Sequence, residues 1–146
     1  MITVFDVADY FLAKTDPELG DLMTHMKLQK LVYYAQGFNL ALYNEPLFSE
    51  PIEAWQHGPV CPQLHQYYKD HGSSEIKPVK DLEEVSKLFT KEQLELLDEV
   101  YTVYGCFAAW YLRQLTHQDT AWHNNYPFGT ISCNAMKESC SSRLET

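Results

Sequence analysis

The residues with the most chemical potential lie in EAWQHGPVCPQLHQYY, residues 53–68. His57, Cys61 and His65 follow one another at intervals of four, a spacing that stacks side chains on one face of a helix. Two imidazoles and a thiolate in that register are ligands for zinc or a related ion. Two features oppose that reading. Pro59 and Pro62 fall inside the span, and a regular helix does not run through them. A closed zinc site also takes four ligands, usually from two tight pairs. The second chemistry is nucleophilic, with Cys61 near a helix start and His57 or His117 as its base. No nucleophile elbow and no cysteine-hydrolase signature surrounds it. A small metal- or thiol-dependent hydrolase built on His57, Cys61, His65 and His117 is therefore the alternative reading. The favoured one is a rigid turn carrying partly exposed histidines beside a small core thiol. No residue is assigned as catalytic or as a metal ligand, and no cofactor is expected. GxGxxG, P-loop, HExxH and DxDxDG patterns are all absent.

Binding is the third chemistry. Trp55, Trp122, Tyr67 and Tyr68 are amphipathic side chains of the kind that anchors protein interfaces. The same side chains also fill the cores of small helical domains. Core is the expectation for Tyr67, while Trp55, beside the Gly58-Pro59 turn, stands evenly between core and anchor.

Charge narrows the partner. Eleven basic against twenty acidic residues leave a formal charge of -9. Nucleic-acid binding runs on Lys and Arg displacing counterions from phosphates, and no basic cluster exists beyond Lys27 and Lys30. No nucleic-acid partner is expected, and an acidic surface favours encounter with a basic protein. No apolar run approaches the roughly 20 residues of a membrane helix, and MITVFDVADYFL does not read as a signal peptide. Cys61, Cys106, Cys133 and Cys140 form no CxxC pair, so a soluble, cytoplasmic protein with reduced thiols is expected.

These side chains must be positioned by helices. At 146 residues with 45% hydrophobic content, the chain fits one domain with a real core. Thr3 with Asp6 caps a first helix, and Val4, Val7, Ala8, Phe11 and Leu12 share its face. A second opens near Thr24 and is apolar nearly all round, which predicts a central, buried element. Gly37 within it points to close approach of another backbone. Pro46, Pro51, Pro59 and Pro62 exclude a helix interior from the next stretch, where Ile52 to Trp55 reads as extended. A third helix covers roughly Cys61 to His71, with Val60, Leu64, Tyr67 and Tyr68 inward. Asp81 with Glu84, and Thr90 with Gln93, cap two more, and Gly105 breaks the second of these. Ala108, Tyr111, Leu112 and Leu115 continue a face toward His117, and periodicity is lost after Trp122. The expectation is a mainly α, single compact domain of about five to six helices, with a short extended segment at residues 52–55.

Four blocks taken in order carry a family resemblance: MKLQKLVYYAQGFNLAL, PLFSEPIEAWQHGPVCPQLHQYYKDHG, LLDEVYTVYG and LTHQDTAW. Together they resemble the SocA-like, Panacea-domain family, over about residues 4–123. That family includes phage-associated proteins and the antitoxin half of bacterial toxin–antitoxin pairs. The resemblance implies a mostly helical domain without catalytic activity that neutralises a cognate toxin by direct binding, some members also acting as adaptors to a cellular protease. It divides the chain into a Panacea domain at residues 1–126 and a divergent tail at 127–146. At His57 and Cys61 the chain departs from the family's usual residues, so neither takes a role from the resemblance. The expected partner surface gathers the EAW-x-x-GPV and LTH-x-x-x-x-W blocks: Trp55, His57, Gly58, Pro59, His117 and Trp122.

Overall fold

A computed structural model describes residues 2–20 and 22–144. Helix α1 (Val4–Lys14) begins on the reciprocal Thr3/Asp6 capping box, and the Thr3 hydroxyl accepts the Asp6 N–H. Helix α2 (His25–Tyr43) starts on Thr24, whose hydroxyl accepts the Lys27 N–H, and stops at Asn44 in the left-handed conformation. Almost all of α2 from Leu28 to Leu40 is buried, as a helix apolar on every side must be. Only its last turn, with Leu42 and Tyr43, stands out of the core.

The proline-rich stretch becomes a hairpin. Strand β1 (Ile52–Trp55) pairs antiparallel with β2 (Gly58–Val60), Trp55 facing Gly58 across the turn Gln56-His57. Helix α3 (Pro62–Tyr68) follows at once, with Pro62 in its first turn, and a 3-10 turn at Lys69–His71 completes the expected span. Helices α4 (Leu82–Ser86), α5 (Lys91–Tyr104), α6 (Ala109–His117) and α7 (Thr120–His123) come next, α5 opening on the Thr90/Gln93 box and closing at Gly105. Strand β3 (Thr130–Ile131) then adds to the free edge of β1, giving the order β2-β1-β3. Helix α8 (Cys133–Leu144) closes the chain against α2.

The mainly α, single compact domain expected from the sequence is thus present, organised around α2 with α1, α3, α5, α6 and α8 against it. Among the described residues no helix is long and apolar enough to cross a membrane. Two local expectations differ. Tyr67, read as inward, is exposed, its ring edge-on to Phe5 and Tyr68. Helix α3 is two turns long and buries only the i, i+4 pair Leu64 and Tyr68, which leaves Tyr67 about 80° off the middle of that stripe. Residues after Trp122, where no period was legible, form β3 and α8. Helix α8 buries Met136, Ser139 and Cys140, and small residues at a close helix contact leave no hydrophobic stripe.

Gly37 explains that contact. A Cβ on Gly37 would overlap the Cys140 sulfur, and the Met136 carbonyl oxygen lies 3.5 Å from the same point. Gly37→Leu should therefore lose about 1–3 kcal/mol to overpacking, outweighing the gain of about 1 kcal/mol in helix propensity. A thermal scan in which the variant melts at or above wild type contradicts this packing.

Candidate functional site

The site grows from polar residues on the inner face of α2. Gln29 clamps the hairpin exit: its Nε2 donates to Cys61 O at 3.2 Å, and its Oε1 accepts the Cys61 N–H at 2.9 Å. The same amide nitrogen lies 3.0 Å from His25 Nε2, which must be the acceptor, so the neutral ring carries its proton on Nδ1. Two turns on, Gln36 binds Phe48 O through Nε2 and the Leu47 N–H through Oε1, at 2.8 and 2.7 Å. Lys30, 1% exposed, donates to Pro59 O at 3.3 Å. Each side chain satisfies backbone groups in a segment whose prolines prevent ordinary pairing, and so fixes the hairpin on α2.

The hairpin turn is held from its other side by α6 and α7. The Trp122 indole Nε1 donates to Trp55 O at 2.7 Å. The His117 Nε2 donates to Gln56 O at 3.0 Å, and its ring stacks on Trp122 with centroids 4.1 Å apart and planes at 22°. Gly58 is needed here. Its φ of +116° suits glycine, and a Cβ would fall 2.5 Å from Lys30 Cε and 2.8 Å from Thr116 Oγ1. The two blocks EAW-x-x-GPV and LTH-x-x-x-x-W, remote in sequence, meet at this turn.

Of the six residues expected at a partner surface, the structure brings all together and divides them by burial. Gly58, Pro59 and Trp122 are buried and shape the turn. His57 is exposed, and Trp55 and His117 are half-buried. The Trp55 ring packs edge-on against His65 at 4.9 Å and Phe128 at 6.0 Å, while its indole N–H donates to Glu53 Oε1 at 2.9 Å. The tail supplies Phe128, because Ala54 binds it on both sides: Phe128 N to Ala54 O at 2.7 Å, and Ala54 N to Gly129 O at 2.9 Å.

The residues of the hydrolase alternative do not converge. Among the described residues no three His, Cys, Asp or Glu side chains come together as a metal site. His65 faces His25 and Trp55, whereas His117 is turned to Trp122 and Gln56. Cys61 is buried, and that burial pushes its thiol up rather than acidifying it.

Beneath the Trp55 edge lies a cleft of about 340 Å³, bounded by α2, the hairpin, α3 and Phe128. It is lined by two bases whose charged forms burial disfavours. The His25 imidazole is lowered to about 4 by burial and then by the neighbouring His65, and the Lys30 amine is lowered to about 7 by burial and then by Arg113. Sequence reading passed over Lys30, because a lysine inside an apolar helix ordinarily snorkels to water. Asp119, inside the LTHQDTAW block, was also passed over. It is buried and accepts from Tyr33 Oη at 2.7 Å and from Arg143 Nη2 at 2.7 Å, tying α2 to α8.

A family model described as the antitoxin SocA-like, Panacea domain matches residues 28–123. That span runs from the first turn of α2 through α7 and contains both blocks that form the turn. No curated protein and no solved structure matches the chain.

Proposed function

The chain belongs to the SocA-like, Panacea-domain antitoxin family, and from that premise we propose that it neutralises a protein toxin by direct binding through the hairpin turn. The observation that supports this most is the turn itself. Four buried or half-buried side chains from three helices (Lys30, His117, Trp122 and the Gln29 clamp) hold residues 55–61 rigid while the Trp55 edge and His57 stay open to solvent. A preorganised aromatic anchor loses little entropy on binding, which is where affinity is gained. With a formal charge of -9, the complementary toxin is basic and its encounter is electrostatically steered. Handing the bound toxin to a cellular protease belongs to the same proposal, and shows as a shortened toxin lifetime in cells.

The test pairs two tryptophans with different burial. The probe is the product of a neighbouring short reading frame that is toxic when expressed alone. Trp55→Ala should bind it about thirtyfold more weakly, equivalent to about 2 kcal/mol, and should fail to rescue growth while remaining folded. Trp122→Ala, 8% exposed in the wild type, should instead lose about 3–5 kcal/mol of stability. Full rescue by a folded Trp55→Ala removes the turn from the toxin interface.

A further inference from the structure

The cleft below the hairpin has a charged group with too few partners. Lys30 is buried to 1% exposure at its floor, and among the described residues its ammonium donates a single hydrogen bond, 3.3 Å to Pro59 O. An ammonium has three protons to place. Buried polar groups in folded proteins are normally satisfied, so an amine with two idle donors beside an open cleft points to an acceptor that arrives from outside. The walls agree with this. Trp55 and Phe128 present aromatic surfaces, and His25, His57 and His65 add imidazoles. Among the described residues no aspartate or glutamate lines this cleft, although the chain is rich in both. Glu53, on the adjoining strand, spends a carboxylate oxygen on the Trp55 indole N–H. The volume of about 340 Å³ lies at the small end of the range that holds a ligand.

We propose that this cleft binds a small organic carboxylate with an aromatic or branched apolar body, its carboxylate on the Lys30 ammonium and its body between Trp55 and Phe128. A phosphate ester fits less well. It brings more charge than one amine balances, and no arginine lines the cleft to supply the second fork of donors. A bound carboxylate favours the charged form of Lys30, so binding above neutral pH takes up a proton. Affinity then falls about tenfold per pH unit above 7 until the amine of the complex itself titrates. The other groups around the amine are the His25, His57 and His65 imidazoles in the cleft, with Arg113 and His117 on α6 behind it. Comparison with a lysine variant subtracts their contributions.

The experiment uses the purified full chain and no toxin, so its result is independent of the antitoxin reading. Phenylacetate is titrated at pH 6.5 by calorimetry or by tryptophan fluorescence, beside phenylacetamide, which has the same shape without the charge. The expected result is saturable one-to-one binding of the acid, at least tenfold weaker binding of the amide, and the same loss for the acid on Lys30→Met. Loss of pH dependence between 7 and 9 in Lys30→Met, with folding checked by its melting curve, completes the signature. Trp55→Ala should weaken the acid severalfold as the aromatic wall is removed. Equal binding of acid and amide, indifference to Lys30→Met, or no saturable binding of phenylacetate or 3-methylbutyrate overturns the proposal.

Discussion

Lys30→Met will raise the melting temperature by roughly 10 °C at pH 6, and the gain will fade as the pH approaches 10. Methionine keeps the unbranched stem that packs beneath Gly58 and removes only the charge. The Lys30 amine sits at about 7 in the folded protein against an ordinary 10.5. Each unit of such a shift is about 1.4 kcal/mol, so folding the charged amine costs on the order of 5 kcal/mol at pH 6. Losing the hydrogen bond to Pro59 O returns about 1 kcal/mol of that, leaving a net gain of about 4 kcal/mol. The direction with pH follows from proton counts. Between pH 7 and 10.5 the unfolded chain holds a proton on Lys30 that the native state lacks, so wild-type stability rises with pH across that window. The variant has no such group, and the two melting temperatures converge. Paired thermal scans at pH 6, 8 and 10 check this. A variant that melts below wild type at pH 6 means that the amine has better partners than Pro59 O.

Asp119→Ala will cost about 3–5 kcal/mol, enough to lower the melting temperature by about 10–15 °C. The carboxylate receives Tyr33 Oη at 2.7 Å and Arg143 through both Nε and Nη2, at 3.1 and 2.7 Å. Arg143 Nη2 also donates to Leu115 O at 2.7 Å, and its guanidinium lies over the Tyr34 ring at 5.4 Å. One carboxylate therefore joins α2, the α6–α7 junction and α8. Burial pushes the Asp119 carboxyl above the usual carboxylate range, and Arg143 and Tyr33 pull it back only in part. Ionised Asp119 is thus a net cost relative to water. Loss of Asp119 alone takes from the half-buried Arg143 its carboxylate and from Tyr33 its acceptor, whereas an apolar replacement of both charged groups leaves no charge behind. Asp119→Leu combined with Arg143→Met should recover most of what Asp119→Ala loses in a chemical-denaturation curve. Additive losses in the double variant would show that the two side chains act separately.

Much of the helical framework was legible because its signals are short-range. The Thr3/Asp6 and Thr90/Gln93 boxes each act across one turn, and both helices begin where those residues place them. The four prolines of residues 44–62 excluded helix and left the extended segment found as β1. For Tyr67 the period carried too few residues to set the burial stripe of a two-turn helix. Helix α8 was invisible for a different reason. Of its buried positions, Met136 and Cys140 complement an absence of side chain at Gly37, 99 and 103 residues earlier, while Ser139 accepts the Ala121 N–H.

By itself the sequence determined the caps, the central apolar helix, the helix-excluding prolines and the acidic balance. Each of these is a property of one residue, of neighbours within about four positions, or of a sum over the chain. Tertiary structure alone decided that Trp122 binds the carbonyl of Trp55, that His117 binds Gln56 O, and that Ile131 pairs with Ile52 to bring Phe128 beside Trp55. It alone decided that Lys30 lies under the hairpin rather than reaching water, and that Asp119 meets Arg143. Burial and hydrogen-bond satisfaction depend on what the rest of the chain places around a group, and contacts across tens of residues leave no local trace in the side chains that make them.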